Sequence, residues 1–208
     1  MAALTSLLAS LRERKRVAIA LRRLTYRVEL PGGQLRLREM ILYVSQRCAD
    51  AKRFGKIKLN KIIWKADFDA FAARRVPLTG RSYQRLQWGP APVEMPPLYG
   101  EMLQEGQIHI DRVDLGDNYI EQRTIPDVRP ELKLFSENDL SYIEASIEYY
   151  WDKTGIEASD DSHGVAWSTR FDGDPMPYEL ALLSDHQLGK NQATRLLEMA
   201  RQAGWTSD

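Results

Sequence analysis

Lys58-Leu59-Asn60-Lys61-Ile62-Ile63-Trp64-Lys65-Ala66-Asp67 is the stretch on which the fold turns. Leu59, Ile62, Ile63 and Ala66 recur at i, i+3, i+4 and i+7, which puts four apolar side chains on one stripe of a helix. Phe68 and Phe71 extend the pattern, so a helix is expected over residues 58–75, ended by Pro77. Lys58, Lys61 and Lys65 fall on another face. That face reads either as a solvated lysine face or as a basic ridge turned to an acidic partner.

Upstream, Met40, Ile41, Tyr43, Val44 and Cys48 mark a helix over 38–53, with Gly55 at a helix C-terminal position. Residues 25–37 alternate around Pro31-Gly32-Gly33 and read as a short hairpin. Residues 4–24 read as a helix whose Arg12, Arg14, Lys15, Arg16, Arg22 and Arg23 make a cationic face. Downstream, 76–98 is rich in turn residues, with Tyr83 and Trp88 among glycines and prolines. A helix follows at 93–105, with Pro97 suited to a first turn. A second hairpin is expected at 107–125 and a helix at 136–153 opened by Ser136 and Asp139. Short helices are expected at 161–168 and 177–183, and a last one at 187–203. The expected fold class is mainly α, a compact helical domain with one or two small β-hairpins. Its expected divisions are a basic arm at 1–35, a helical domain at 36–185 and a carboxy-terminal helix at 186–208.

The 208 residues fit one ordinary domain, and 43% hydrophobic residues suffice for a core. Cys48 is the single cysteine, so neither an internal disulfide nor a thiolate metal site can form, and it reads as a small buried hydrophobe. The start is apolar, without a basic segment ahead of it, and runs straight into Arg12-Glu13-Arg14-Lys15-Arg16. No secretory leader is expected. No apolar run approaches the roughly 20 residues that span a bilayer, so no membrane partner is expected and cytoplasm is the default compartment. Charge is uneven under a net of zero: residues 1–75 hold 18 Lys+Arg and 6 Asp+Glu, the remainder 11 and 23. The first half invites an acidic partner, unless the two halves fold together and neutralise each other.

Catalytic chemistry is not legible. His109, His163 and His186 have no paired metal spacing, and no phosphate-binding glycine loop occurs. Asp160, Asp161, Ser162 and His163 have the residue types of a hydrolytic triad. Neighbours in a chain rarely set a nucleophile against its base, however, because triad members meet by geometry. Ser162 or Asp161 reads instead as a helix N-cap, with His163 in the first turn. No enzyme activity, cofactor or metal is expected.

Three segments together resemble one family. They are Lys58 to Asp67; Pro77-Leu78-Thr79-Gly80 with Trp88-Gly89-Pro90-Ala91-Pro92 and Leu98-Tyr99; and Asp161-Ser162-His163 with Trp167. Their order and spacing look like the Panacea domain, once labelled a phage-associated family, over about residues 36–185. The resemblance implies an antitoxin of a toxin–antitoxin pair that binds and masks a cognate toxin. One branch is described as an adaptor that delivers a toxin to a protease. The contact candidates are Lys58, Lys61, Trp64, Tyr83, Trp88, Pro90, His163 and Trp167, the aromatics as anchors and the lysines steering an acidic partner. The alternative from a different class is a nucleic-acid-binding regulator acting through the basic amino-terminal arm.

Overall fold

The computed structural model describes residues 24–51, 53–116 and 120–183. The helix predicted from Lys58 onward is present as α2 (Lys56–Arg74) and forms the centre of the molecule. It follows α1 (Leu35–Arg47) and precedes two-residue strands β1 (Tyr83–Gln84) and β2 (Ala91–Pro92). Then come α3 (Met95–Gln104), the hairpin β3 (Ile108–Asp114) and β4 (Ile120–Pro126), and α4 (Glu137–Tyr150). The described residues close with α5 (Gly155–Asp161), α6 (Val165–Ser168), β5 (Pro175–Met176) and a 3-10 turn at Tyr178–Leu182. The class is mainly α with minor β, as expected.

α2 is apolar on two faces, so it is buried on two sides. Leu59, Ile62, Ile63 and Ala66 pack with Leu37, Met40, Ile41 and Val44 of α1, Leu98 and Met102 of α3, and Ile143 and Ile147 of α4. Trp64, Phe68 and Phe71 face the other way, into an aromatic cluster with Tyr83, Met176 and Tyr178. There Phe68 meets Tyr83 edge-on at 5.2 Å, and Phe71 stacks on Tyr178 at 5.2 Å. Each such fully buried side chain contributes about 1.5–3 kcal/mol of transfer free energy.

Between these faces α2 carries a fully buried carboxylate, Asp67. It accepts from the Leu78 and Thr79 amides at 2.6 and 2.7 Å, from the Thr79 hydroxyl, and from Tyr83 at 2.8 Å. Burial pushes this carboxyl up, and these donors pull it back. The Pro77–Gly80 loop is thereby fixed to the helix. Gly80 is required there: its φ is +69°, and a Cβ would strike the Val28 carbonyl. Below the loop, buried Arg36 donates to the carbonyls of Leu78 and Leu134 and pairs with Asp139 at 3.5 Å.

Several local expectations are corrected. Residues 25–37 are not a hairpin. The Leu35/Leu37 alternation belongs to α1, because Leu37, Ile41 and Val44 continue it at helical spacing. The Pro-Gly-Gly turn leads directly into that helix, with Gly33 N–H on Leu30 O at 3.0 Å and Leu35 N–H on Gly32 O at 3.0 Å. Thr25 and Val28 bond instead to the body: Tyr178 N–H donates to Thr25 O, and Val28 N–H to Gly80 O. Gly55 is the N-cap of α2, not a C-terminal residue. α2 ends at Arg75, whose left-handed φ of 63° and amide bond to Phe71 O stop it before Pro77. The β3–β4 hairpin and the Ser136/Asp139 capping box are present as expected. Asp161 and Ser162 are not an N-cap. Thr154 caps α5, reciprocated by Glu157, and Ser162 stands at the helix's other end. The helices expected at 4–24 and 187–203 lie outside the described residues. Among the described residues, no helix is long and apolar enough to cross a membrane.

Candidate functional site

The Leu86–Pro90 loop, α5 and the turn after it converge above the middle of α2. The loop is closed by Gly89 N–H on Leu86 O at 2.9 Å. Gly89 has φ +90°, and a Cβ there would stand 2.7 Å from Lys61 Nζ and also strike the Ser162 hydroxyl. Glycine is therefore required twice, for the backbone sign and for the approach. Beneath it, Lys61 Nζ donates to Pro90 O at 2.9 Å. Burial drops the Lys61 ammonium to about 7, because low-dielectric surroundings disfavour its charged form.

Trp167 of α6 docks against this loop, its Nε1–H donating to Leu86 O at 2.8 Å. His163 stacks on the Trp167 ring at 3.7 Å, and the Arg85 guanidinium lies 3.8 Å from the same ring's centre. Such contacts contribute about 0.5–2 kcal/mol each and fix the ring in place. Burial holds His163 below its ordinary pKa; the charges of Lys61 and Arg85 add to this, and Asp160 opposes it. His163 Nε2 lies 3.3 Å from the Ser159 hydroxyl, while Ser162 donates to Ser159 O at 2.6 Å. The serine beside the histidine is thus turned to the backbone.

Trp88 points outward and is 52% exposed. Exposed Leu86 precedes it on the loop. Phe171, 83% exposed, stands on the neighbouring turn, which Arg85 holds: Gly173 N–H donates to Arg85 O at 2.8 Å, Arg85 N–H to Asp174 O at 2.9 Å, and the guanidinium pairs with Asp172. Exposed Leu86 and Trp88 thus stand on the loop that Trp167 braces, and exposed Phe171 on the turn tied to Arg85. Large amphipathic rings held with little remaining freedom are the usual anchors of protein–protein contact.

Of the expected contact residues, Trp88, His163 and Trp167 lie on this surface. Pro90 is buried just under it. Lys58, Lys61, Trp64 and Tyr83 are corrected to interior positions. Lys58 Nζ donates to Trp151 O at 2.5 Å and Lys61 Nζ to Pro90 O, so these two lysines of the face are turned inward onto carbonyls, while Lys65 is partly exposed and pairs with Asp69. Trp64 packs on Phe68 at 5.7 Å, and Tyr83 serves Asp67. Sequence reasoning missed Arg85, Leu86 and Phe171. The available signal was an aromatic inside the turn-forming run Phe171-Asp172-Gly173-Asp174-Pro175. Among the described residues, no cluster of His, Cys, Asp or Glu is arranged to hold a metal ion.

The model of the family described as "Antitoxin SocA-like, Panacea domain" matches residues 59–168. This is just over half of the chain, from the first turn of α2 to the end of α6, and it contains Lys61, Trp88, Gly89, Pro90, His163 and Trp167. Neither a curated protein nor a solved structure matches the chain. Parts of the three segments whose resemblance was noted in the sequence, Lys61, Trp88 to Pro90, and His163 with Trp167, meet here, and the chain belongs to the SocA-like antitoxin Panacea-domain family.

Proposed function

We propose that this protein is an antitoxin that neutralises a cognate toxin by direct binding through the Trp88 surface, masking the toxin sterically. The family supports an antitoxin role with a protein partner. The observation that carries the choice of surface is that residues of all three family segments, Lys61, Trp88 to Pro90, and His163 with Trp167, meet under the loop that exposes Trp88. α2 supplies the base, Trp88-Gly89-Pro90 the presented loop, and His163 with Trp167 the brace. The 52% exposure of Trp88 and 83% exposure of Phe171 leave both rings free to meet a partner. The reading needs no reaction chemistry, since the serine and histidine at the site are engaged structurally.

The test is growth rescue. The product of the neighbouring gene is expressed alone and then with this chain. The expected result is growth arrest relieved by the wild type and not by the Trp88→Ala/Phe171→Ala double variant, at equal soluble levels. Rescue by the double variant would assign neutralisation to another surface. Absence of rescue by the wild type would remove that gene product as the cognate toxin.

A further inference from the structure

Lys61 is placed where an ammonium is poorly served. A Cβ on Gly89 would stand 2.7 Å from its Nζ, and its bond to Pro90 O offers one acceptor to a group that has three protons when charged. None of the ion pairs found among the described residues includes Lys61. The titratable group its charge acts on is His163 on the α5 side; Asp160 and Arg85 act on that same histidine. Within α2, Lys58 is taken up by Trp151 O and Lys65 by Asp69 at 2.9 Å, so neither compensates. A neutral amine, which needs fewer acceptors, fits this place.

The loop over it is exposed at its tip. Gly89 N–H and Trp167 Nε1–H both end on Leu86 O, and Leu86, Gln87 and Trp88 are exposed. Lifting the loop hydrates Nζ and at the same stroke removes the carbonyl that braces Trp167.

We propose that Lys61 and the Gly89–Pro90 turn form a proton-sensitive latch: with a neutral amine the turn lies closed and presents Trp88, and with an ammonium the turn lifts, Trp167 is released and the surface disassembles. The consequence for partner binding, weaker at low pH, rests on the reading of this surface as the toxin-binding site; the latch itself is a property of the chain alone. Lys61 is then a positioning residue that acts through the turn.

The experiment is a pH titration of the full chain by nitrogen–proton NMR, with the Trp167 indole assigned through Trp167→Phe. The expected result is movement of the Trp167 indole resonance with a midpoint of about 7, accompanied by several-fold loss of exchange protection on the acid side. Lys61→Met and Lys61→Gln should abolish the movement, while His163→Asn should keep its midpoint. An indole resonance unmoved between about pH 8 and 6 overturns the latch, as does identical movement in both Lys61 variants. Should those variants fail to fold, the wild type decides: a Lys61 ε-carbon that titrates near 7 with the same midpoint as the Trp167 indole supports the latch, and titration near the ordinary 10.5 or at a different midpoint from the indole overturns it. Because no partner is present, a failed latch and a failed toxin assignment are distinguishable.

Discussion

Tyr83 and Trp88 are five residues apart in a run of turn-formers, yet their side chains meet opposite surroundings. The Tyr83 ring is wedged between Phe68 and Tyr178, and its hydroxyl donates to Asp67. Tyr83→Phe should lower unfolding free energy by about 1–3 kcal/mol, because Asp67 loses a donor in a buried place. Asp67→Ala should cost more, about 3–5 kcal/mol, since two amides and two hydroxyls lose their acceptor together; denaturant titration measures both. Trp88→Ala should change stability by about 0.5 kcal/mol or less while weakening toxin binding. Sequence could not separate these aromatics. Trp64, Tyr83 and Trp88 are alike as residue types, and which are anchors depends on which side of α2 is covered by residues a hundred positions later, such as Tyr178. Lys58 and Lys61 misled for the same reason: helical spacing set them on a common face, but not that Trp151 and Pro90 would cover it.

α2 is the element whose periodicity was plainest, and its observed span differs from the expected one by a residue or two. Long, strongly periodic segments carry their own evidence. Ile63→Ala, which empties a fully buried position against α1, α3 and α4, should cost about 2–5 kcal/mol. The α4 capping box was equally legible. Ser136 accepts from the Asp139 amide and Asp139 accepts from the Ser136 amide, so Ser136→Ala should cost about 1 kcal/mol. Short elements were less legible. α5 has too few residues for a period, and its start lies in the Thr154-x-x-Glu157 box, seven residues before the start expected from Asp161. The supposed hairpin at 25–37 shows how a helix's first apolar residues, joined to a turn, imitate period two.

Across the whole molecule, the charge asymmetry between sequence halves is partly resolved by folding. Arg36 and Arg74 meet Asp139, Arg47 meets Glu144, and Arg38 meets Glu101 and Glu105. The basic segment before residue 24 lies outside the described residues. Arg47 and the Tyr43 hydroxyl hold the Glu144 carboxyl below its ordinary value, against its partial burial. That stabilisation is present above the unfolded carboxyl range and is lost as pH falls through the lowered folded value. Lys61 works in the other direction. Its folded value of about 7 lies below the unfolded 10.5, so between them the unfolded chain binds more protons and stability rises with pH. Lys58, lowered by burial as well, adds in the same direction, and Cys48, Tyr83 and Tyr178, pushed up by burial, oppose it as pH rises toward 9 and beyond, so Lys61 is read from the difference between wild type and variant. Between about pH 7 and 9 Lys61 should contribute up to about 1.4 kcal/mol per pH unit, so Lys61→Met should rise less steeply than the wild type in parallel denaturation curves.

The central claim is that the Trp88 surface captures a toxin, and calorimetric titration of the purified chain with the product of the neighbouring gene tests it most directly. The account predicts stoichiometric binding, weakened about 30-fold or more by Trp88→Ala and again by adding Phe171→Ala, with folding intact. Stoichiometric binding whose affinity is the same in the wild type and the double variant would contradict it.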